Sequence, residues 1–220
     1  MKFEEWEPLY SLILKDMNFD RLYDERAAFY LSKLLETMAR KKMPDVLDID
    51  VLKKQVMGKD VIVCGRAPTL ADEMKNVDFK RYVTIAADGA TSILMKKGIV
   101  PDVIVTDLDG NMDDETMANR QGAIMVVHAH GDNMDALGTE VPKLKKVIGT
   151  TQSKPMWNVH NFGGFTDGDR CVFLANEMGA RSITLIGFDF EDENVTPMKK
   201  KKLVWAKKLI DIVMGEGLFE

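Results

Sequence analysis

Two hydrophobic rhythms divide the chain. Through residues 1–57 the apolar positions recur at helical spacing: Trp6, Leu9, Ile13 and Leu14, then Leu22, Ala27, Tyr30, Leu31, Leu34, Leu35 and Met38. Residues three and four apart share one face of a helix, so this spacing predicts amphipathic helices. The basic run Arg40-Lys41-Lys42 suits a helix C-terminus, and Pro44 follows as a stop. Val51–Met57 reads as a short third helix, with Gly58 just past its end. No catalytic pattern stands out in this stretch, which is read as an N-terminal helical subdomain, residues 1–57.

From Asp60 onward short apolar runs alternate with helical stretches, and residues 58–220 are read as one α/β catalytic domain. The candidate strands are Val61–Cys64, Tyr82–Ala86, Val103–Thr106, Ala123–Val127, Lys146–Gly149 and Ser182–Ile186. The candidate helices are Thr69–Met74, Ala90–Lys97, Glu115–Arg120, Met134–Leu137, Asp169–Met178 and Met198–Met214. Strands that are apolar without alternation, separated by helices, predict a mostly parallel sheet with helices on both faces. Right-handed crossovers then put every strand-end loop along one rim. Each polar cluster in this half of the chain follows a strand, so five loops are expected to converge on one crevice.

Composition sharpens this picture. The chain has 220 residues and 45% hydrophobic residues, enough for a sizeable core. A net charge of -5 argues against nucleic acid or an anionic membrane surface as the main partner. Cys64 and Cys171 fall in apolar runs and read as core residues, as do most of the 15 methionines, among them Met38, Met57, Met74, Met95 and Met178. The opening residues MKFEEWEPLY carry no signal-type apolar segment, and no run approaches the ~20 residues that span a bilayer. A cytoplasmic location with reduced thiols is expected.

The richest chemistry lies in TDLDGN. Asp107 and Asp109 stand two apart at the end of a β-branched run. In a continuing strand both carboxylates would face one spot, where two acids crowd unless a cation neutralises them. Mg²⁺ takes such carboxylates together with phosphate oxygens. An Asx-rich turn is the plainer reading of the same residues. GRAPTL joins a strand to a helix start through Gly65, Arg66, Pro68 and Thr69, a setting for phosphate, or simply a turn capped by Thr69. Asp88-Gly89 reads as a cap, or as a ligand to metal-bound water or a nucleotide sugar hydroxyl. In HAHGDN, His128 and His130 lack a third strong ligand for zinc, so phosphate hydrogen bonding by one of them is the better reading. Asp132, Asn133 and Asp135 follow at a helix start. NFGGFTDGDR offers Gly163 and Gly164 for positive φ and close ligand approach, either as a flexible loop closing over substrate or as a structural turn, with Asp167, Asp169 and Arg170 beyond them. In LIGFDF, Asp189 follows a strand, and Phe188 and Phe190 either flank a planar ring or belong to the core. Lys199–Lys202 reads as a solvated helix face, with phosphate contact as the lesser alternative. GxSxG, GxxxxGK[ST] and GxGxxG are all absent.

Together GRAPTL, ADGATSILMKKGIVPDVIVTDLDGN, HAHGDN, FGGFTDGDR and LIGFDF resemble the archaeal 6-hydroxymethyl-7,8-dihydropterin pyrophosphokinase family, whose core is similar to that of thiamine pyrophosphokinases. The resemblance covers roughly residues 58–215. It implies Mg²⁺-dependent transfer of pyrophosphate from ATP to a pterin hydroxymethyl group, with release of AMP, in methanopterin or folate-type cofactor synthesis. It implies Asp107, Asp109 and Asp132 as catalytic acids and Asp88, Asp107, Asp109 and Asp132 as metal ligands. Gly65, Arg66, Pro68, Thr69, Asp88, Gly89, His130, Asn133, Gly163, Gly164 and Asp189 would contact the nucleotide. One departure concerns the first turn, where Ala67 replaces a family glycine. Partners are ATP and a pterin, and a homodimer stays open. Competing readings are a thiamine or other pyrophosphate or nucleotide-sugar transferase, and a non-catalytic nucleotide-binding regulatory module.

Overall fold

The computed structural model describes residues 1–41 and 46–215. Lys42 and the stop at Pro44 lie outside the described residues. Among the described residues seven strands are seen: β1 (Asp60–Cys64), β2 (Val83–Ala87), β3 (Val103–Thr106), β4 (Ile124–Ala129), β5 (Val147–Thr151), β6 (Val159–His160) and β7 (Ser182–Ile186). They form one sheet in the order β6-β5-β4-β3-β2-β1-β7, and every pairing is parallel. The helices are α1 (Phe3–Met17), α2 (Arg21–Arg40), α3 (Ile49–Val56), α4 (Leu70–Glu73), α5 (Ala90–Lys96), α6 (Met112–Arg120), α7 (Met134–Glu140), α8 (Asp167–Glu177) and α9 (Pro197–Met214). The α/β class expected from the alternation is what the chain adopts.

The strand order has a functional consequence. From β1 to β6 each crossover steps the same way, and β7 then returns to the free edge of β1. The direction of winding therefore reverses between β1 and β7, the kind of place where open parallel sheets leave a crevice at their carboxyl ends. Alternate strand residues serve two cores. Val61, Val63, Ile85, Val103, Val105 and Val126 pack with Leu52 and Val56 of α3, with Cys171, Val172, Leu174, Ala175 and Met178 of the α8 segment, and with Ile210 of α9. On the other face Ile104, Met125 and Val127 pack with Ala27, Leu31 and Leu35 of α2, Ala118 of α6 and Leu137 of α7. Ile62, Cys64 and Ala86 pack there with Leu70 of α4 and Ala90 and Leu94 of α5.

The N-terminal helices share these cores rather than forming one of their own. α2 and α3 lie on opposite faces of the sheet, and α1 packs Trp6, Tyr10 and Ile13 against Phe165, Phe173 of α8 and Leu209 of α9.

Several local expectations need correction. Strand β4 runs two residues further than its apolar run, so His128 lies inside the sheet, and its ring Nδ1 meets Thr150 Oγ1 at 3.1 Å. β6 has only two residues and no apolar run to announce it. Helix α6 starts at Met112 because Asn111 caps it, accepting from the backbone N–H of Asp113 and Asp114. Leu22 and Tyr30 point off the buried stripe of α2, and Met57 is exposed rather than core.

Candidate active site

The loops after β1, β2, β3, β4 and β7 all reach one cavity of about 880 Å³, joined by Gln152 beyond β5 and by the start of α8. That volume lies near the upper end of the ~300–1,000 Å³ range of small-molecule sites. Its floor is acidic. One carboxylate oxygen from each of Asp88, Asp107 and Asp109 lies within 4.8 Å of the others.

The backbone explains how the three meet. β3 stops at Thr106, and Leu108 takes a left-handed conformation with φ 70° while its side chain is buried in the core. Anchoring Leu108 on the core side turns both flanking aspartates toward the cavity. The two-residue spacing thus brings them together through a kinked turn, not a continuing strand. Thr106 Oγ1 accepts from Leu108 N at 2.9 Å and donates to Asp88 Oδ1 at 3.2 Å, tying the β2 and β3 loops together. Asp88 has a positive φ of 38°. Gly110 is required beside it, because a Cβ there would collide with Asp88 Oδ1 and come within 2.8 Å of Glu115 Oε1.

His130 Nε2 contacts Asp107 Oδ2 at 2.9 Å, while Asp107 Oδ1 is buried without a hydrogen-bond partner among the described residues. Burial alone pushes the Asp107 carboxyl up, but the His130 hydrogen bond and the charges of Arg170 and His130 outweigh it and hold it below the usual carboxylate range. Burial, reinforced by the charges of Asp107 and Asp88, pushes Asp109 up. Behind them Glu115 is fully buried, and burial with Asp88 beside it pushes its carboxyl up to about 10. Burial and Asp107 raise Asp167 as well. Crowded acids of this kind are relieved by a cation, and an all-oxygen donor set with one open carboxylate oxygen fits a hard divalent ion.

Other expected residues also line the cavity: Gly65, Arg66 and Pro68 after β1, Gly89 after β2, His130 and Asp132 after β4, and Asp189 after β7. Arg66 lies across Gly89, where a Cβ would sit 2.5 Å from its Cδ. Phe188 and Phe190 are on the wall, with ring centroids 5.6 Å apart. Asp132, although it lines the cavity, is exposed at the rim and outside the three-acid group. The remaining expected contacts fall outside the cavity lining. Thr69 is neither a cavity residue nor a side-chain cap. Asn133 works from below, donating through Nδ2 to the carbonyls of Asp107 and His128 and accepting from His130 N. Gly163 and Gly164 do have positive φ, 90° and 94°, but for packing. A Cβ at Gly163 would strike the Phe173 ring, and one at Gly164 would lie 2.7 Å from Arg170 Cα.

The structure gives the motif residue Arg170 its partners and adds two residues that the motifs do not mark, Gln152 and Asp24. Arg170 is buried at the cavity, donating to Asp167 Oδ1 at 3.0 Å and Gln152 Oε1 at 3.1 Å. Gln152 Nε2 donates to Asp24 Oδ2 at 2.7 Å; Tyr10 OH (2.6 Å) and Gly131 N (2.7 Å) donate to the same carboxylate. Asp24 thereby links α1, α2, the β4 loop and, through Gln152, Arg170. Its signal was an acid on the buried stripe that also holds Ala27, Leu31, Leu35 and Met38.

The sequence profile of the family described as 6-hydroxymethylpterin diphosphokinase MptE-like matches residues 34–195. The chain belongs to this family. The match spans β1 to β7 and so holds the three acids and the strand-end loops of the cavity, but not its lining from the α1–α2 connection (Phe19, Asp20, Tyr23 and Asp24) or from α9. Three curated relatives, each named 6-hydroxymethyl-7,8-dihydropterin pyrophosphokinase, are similar over nearly full length. The Pyrococcus furiosus protein is 44% identical, over 99% of this chain and 96% of its own. The Methanothermobacter thermautotrophicus protein is 43% identical, over 99% and 97%. The Methanocaldococcus jannaschii protein is 37% identical, over 96% and 95%. No helix of the described residues is long and apolar enough to cross a membrane.

Proposed function

We propose that the chain transfers the β,γ-pyrophosphoryl group of ATP to the hydroxymethyl oxygen of 6-hydroxymethyl-7,8-dihydropterin. The acceptor oxygen bonds to the β-phosphorus, the bond from that phosphorus to the oxygen bridging the α-phosphate breaks, AMP leaves, and the hydroxyl proton passes to a base or to solvent. Membership of the family supports the acceptor. The convergence of Asp88, Asp107 and Asp109, with one Asp107 oxygen left open, is the observation that carries the chemistry.

Such transfer needs positioning and neutralisation of charge more than covalent help from the protein. A divalent ion on the three aspartates, Mg²⁺ in the cell, supplies a hard positive charge beside the phosphates when bound. The residues of the chain do the rest. His130 and Asn133 fix Asp107 from either side. Arg66 and Arg170 bring positive charge to the two flanks of the cavity. Phe188 and Phe190 offer planar surface to a heterocycle. Buried free thiols at Cys64 and Cys171 suit a reducing cytoplasm, and the product suits synthesis of a reduced pterin cofactor.

The test is product analysis. With ATP, Mg²⁺ and hydroxymethyldihydropterin, chromatography is expected to show AMP formed in step with the pterin diphosphate. Formation of ADP, or of AMP only with thiamine, overturns the reading. Nucleotide binding with no turnover of any acceptor moves it to a regulatory module.

A further inference from the structure

Helix α9 turns a regular stripe toward the cavity: Lys199, Lys202, Leu203 and Ala206 all line it. That spacing is the i, i+3, i+4, i+7 pattern of a helix face packed against protein, which is ordinarily apolar throughout. Here its first two members are lysines. Two other lysines of α9 are engaged elsewhere. Lys201 Nζ reaches Asp16 Oδ1 at 3.0 Å and the Asp16 carbonyl at 2.7 Å, and Lys208 lies over the Trp205 ring at 5.2 Å. The side-chain amino groups of Lys199 and Lys202 have no hydrogen bond or ion pair among the described residues, although Asp189 and Asp192 line the same cavity. Two lysines thus stand free on one wall of a cavity whose floor carries three clustered aspartates.

Resting on the proposed reaction, we infer that Lys199 and Lys202 grip the terminal phosphates of ATP, the part that is transferred. A triphosphate laid against Asp88, Asp107 and Asp109 meets strong negative charge, which a single divalent ion reduces but does not cancel. Arg170 is already committed to Asp167 and Gln152. The ammonium groups of α9 lie on flexible stems, reach the cavity from the solvent side, and need no repacking to follow the phosphates as they move from donor to acceptor. The class of ligand is a polyphosphate end, and the expected signature is donor affinity rather than chemistry.

Calorimetric titration with Mg²⁺ and inorganic triphosphate tests this without any acceptor. The Lys199→Ala/Lys202→Ala double variant should bind about 100-fold more weakly, about tenfold per lysine, whereas Lys199→Arg/Lys202→Arg stays close to wild type. Lys200→Ala, on the same helix turn but outside the cavity lining, serves as the neutral control. In steady state the alanine pair raises the ATP KM and leaves the pterin KM and kcat nearly unchanged. Triphosphate affinity within twofold of wild type in the alanine pair, or a rise in pterin KM instead, overturns the inference. A protein that binds triphosphate through these lysines but makes no AMP from the pterin overturns the proposed acceptor and leaves the lysine assignment standing.

Discussion

Replacing Asp24 by alanine tests how the N-terminal helices support the site. The carboxylate is 4% exposed and accepts from Tyr10 OH, Gln152 Nε2 and Gly131 N. Truncation leaves two buried donors and one half-buried donor without an acceptor, at about 1–3 kcal/mol each, partly offset by relaxation and entering water. A net loss of about 3–6 kcal/mol is expected, and in a chain of 220 residues each kcal/mol moves Tm by about 2–4 °C. Asp24→Ala should therefore melt about 10–15 °C below wild type by circular dichroism. Tyr10→Phe removes one hydrogen bond on the side away from the cavity and should cost about 1 kcal/mol. The near-isosteric Asp24→Asn separates stability from function. Its amide keeps one acceptor oxygen, so it mismatches either Gly131 on the Oδ1 side or Gln152 and Tyr10 on the Oδ2 side, and at temperatures well below its Tm it should lower kcat more than Tyr10→Phe does. The reasoning fails if Asp24→Ala melts within 2 °C of wild type, or if Tyr10→Phe costs as much as Asp24→Ala.

Three further outcomes are expected. Asp107→Asn should lower kcat/KM about 10³-fold with Tm unchanged or raised, while Asp132→Asn at the exposed rim stays within about tenfold, both read by AMP release. Gly110→Ala forces Asp88 and Glu115 apart, so it should abolish the rise in Tm that Mg²⁺ gives to wild type while the metal-free melt is lowered only slightly. The exposed Asp60 carboxyl is drawn down to about 2 by hydrogen bonds from Arg181 and Ser182, which tie β1 to β7. A depressed carboxylate stabilises above its ordinary value of 3.8, and the benefit fades as pH falls through the folded value. The Tm advantage of wild type over Asp60→Asn should thus be present at pH 7 and disappear between about pH 4 and about pH 2.

The sheet and its working rim were legible because buried parallel strands leave a plain record: runs of Val and Ile with polar clusters at their carboxyl ends. Asp88, Asp107 and Asp109 fell out of that record. The means of their convergence did not, since no pattern announces that Leu108 takes a left-handed turn to reach the core. His128 was invisible as a strand residue because an imidazole interrupts the apolar run, yet Thr150 across β5 gives its ring a partner. Positive φ and close approach are legible at Gly163 and Gly164, but the pattern leaves a substrate loop and a structural turn open; what approaches is α8, which favours the turn. Asp24, Gln152 and Arg170 come from three distant parts of the chain, and only packing brings them together. A lone acid on an apolar stripe hints that a buried partner exists but does not name it.

The central claim is that Asp88, Asp107 and Asp109 hold one divalent cation against the phosphates. Anomalous diffraction from crystals grown with Mn²⁺ and a non-hydrolysable ATP analogue addresses it most directly. The account predicts a single strong peak within about 2.0–2.4 Å of an oxygen from each of the three carboxylates, with phosphate oxygens completing the shell. A peak held by other residues, or nucleotide bound in the cavity with no metal among these three, would contradict it.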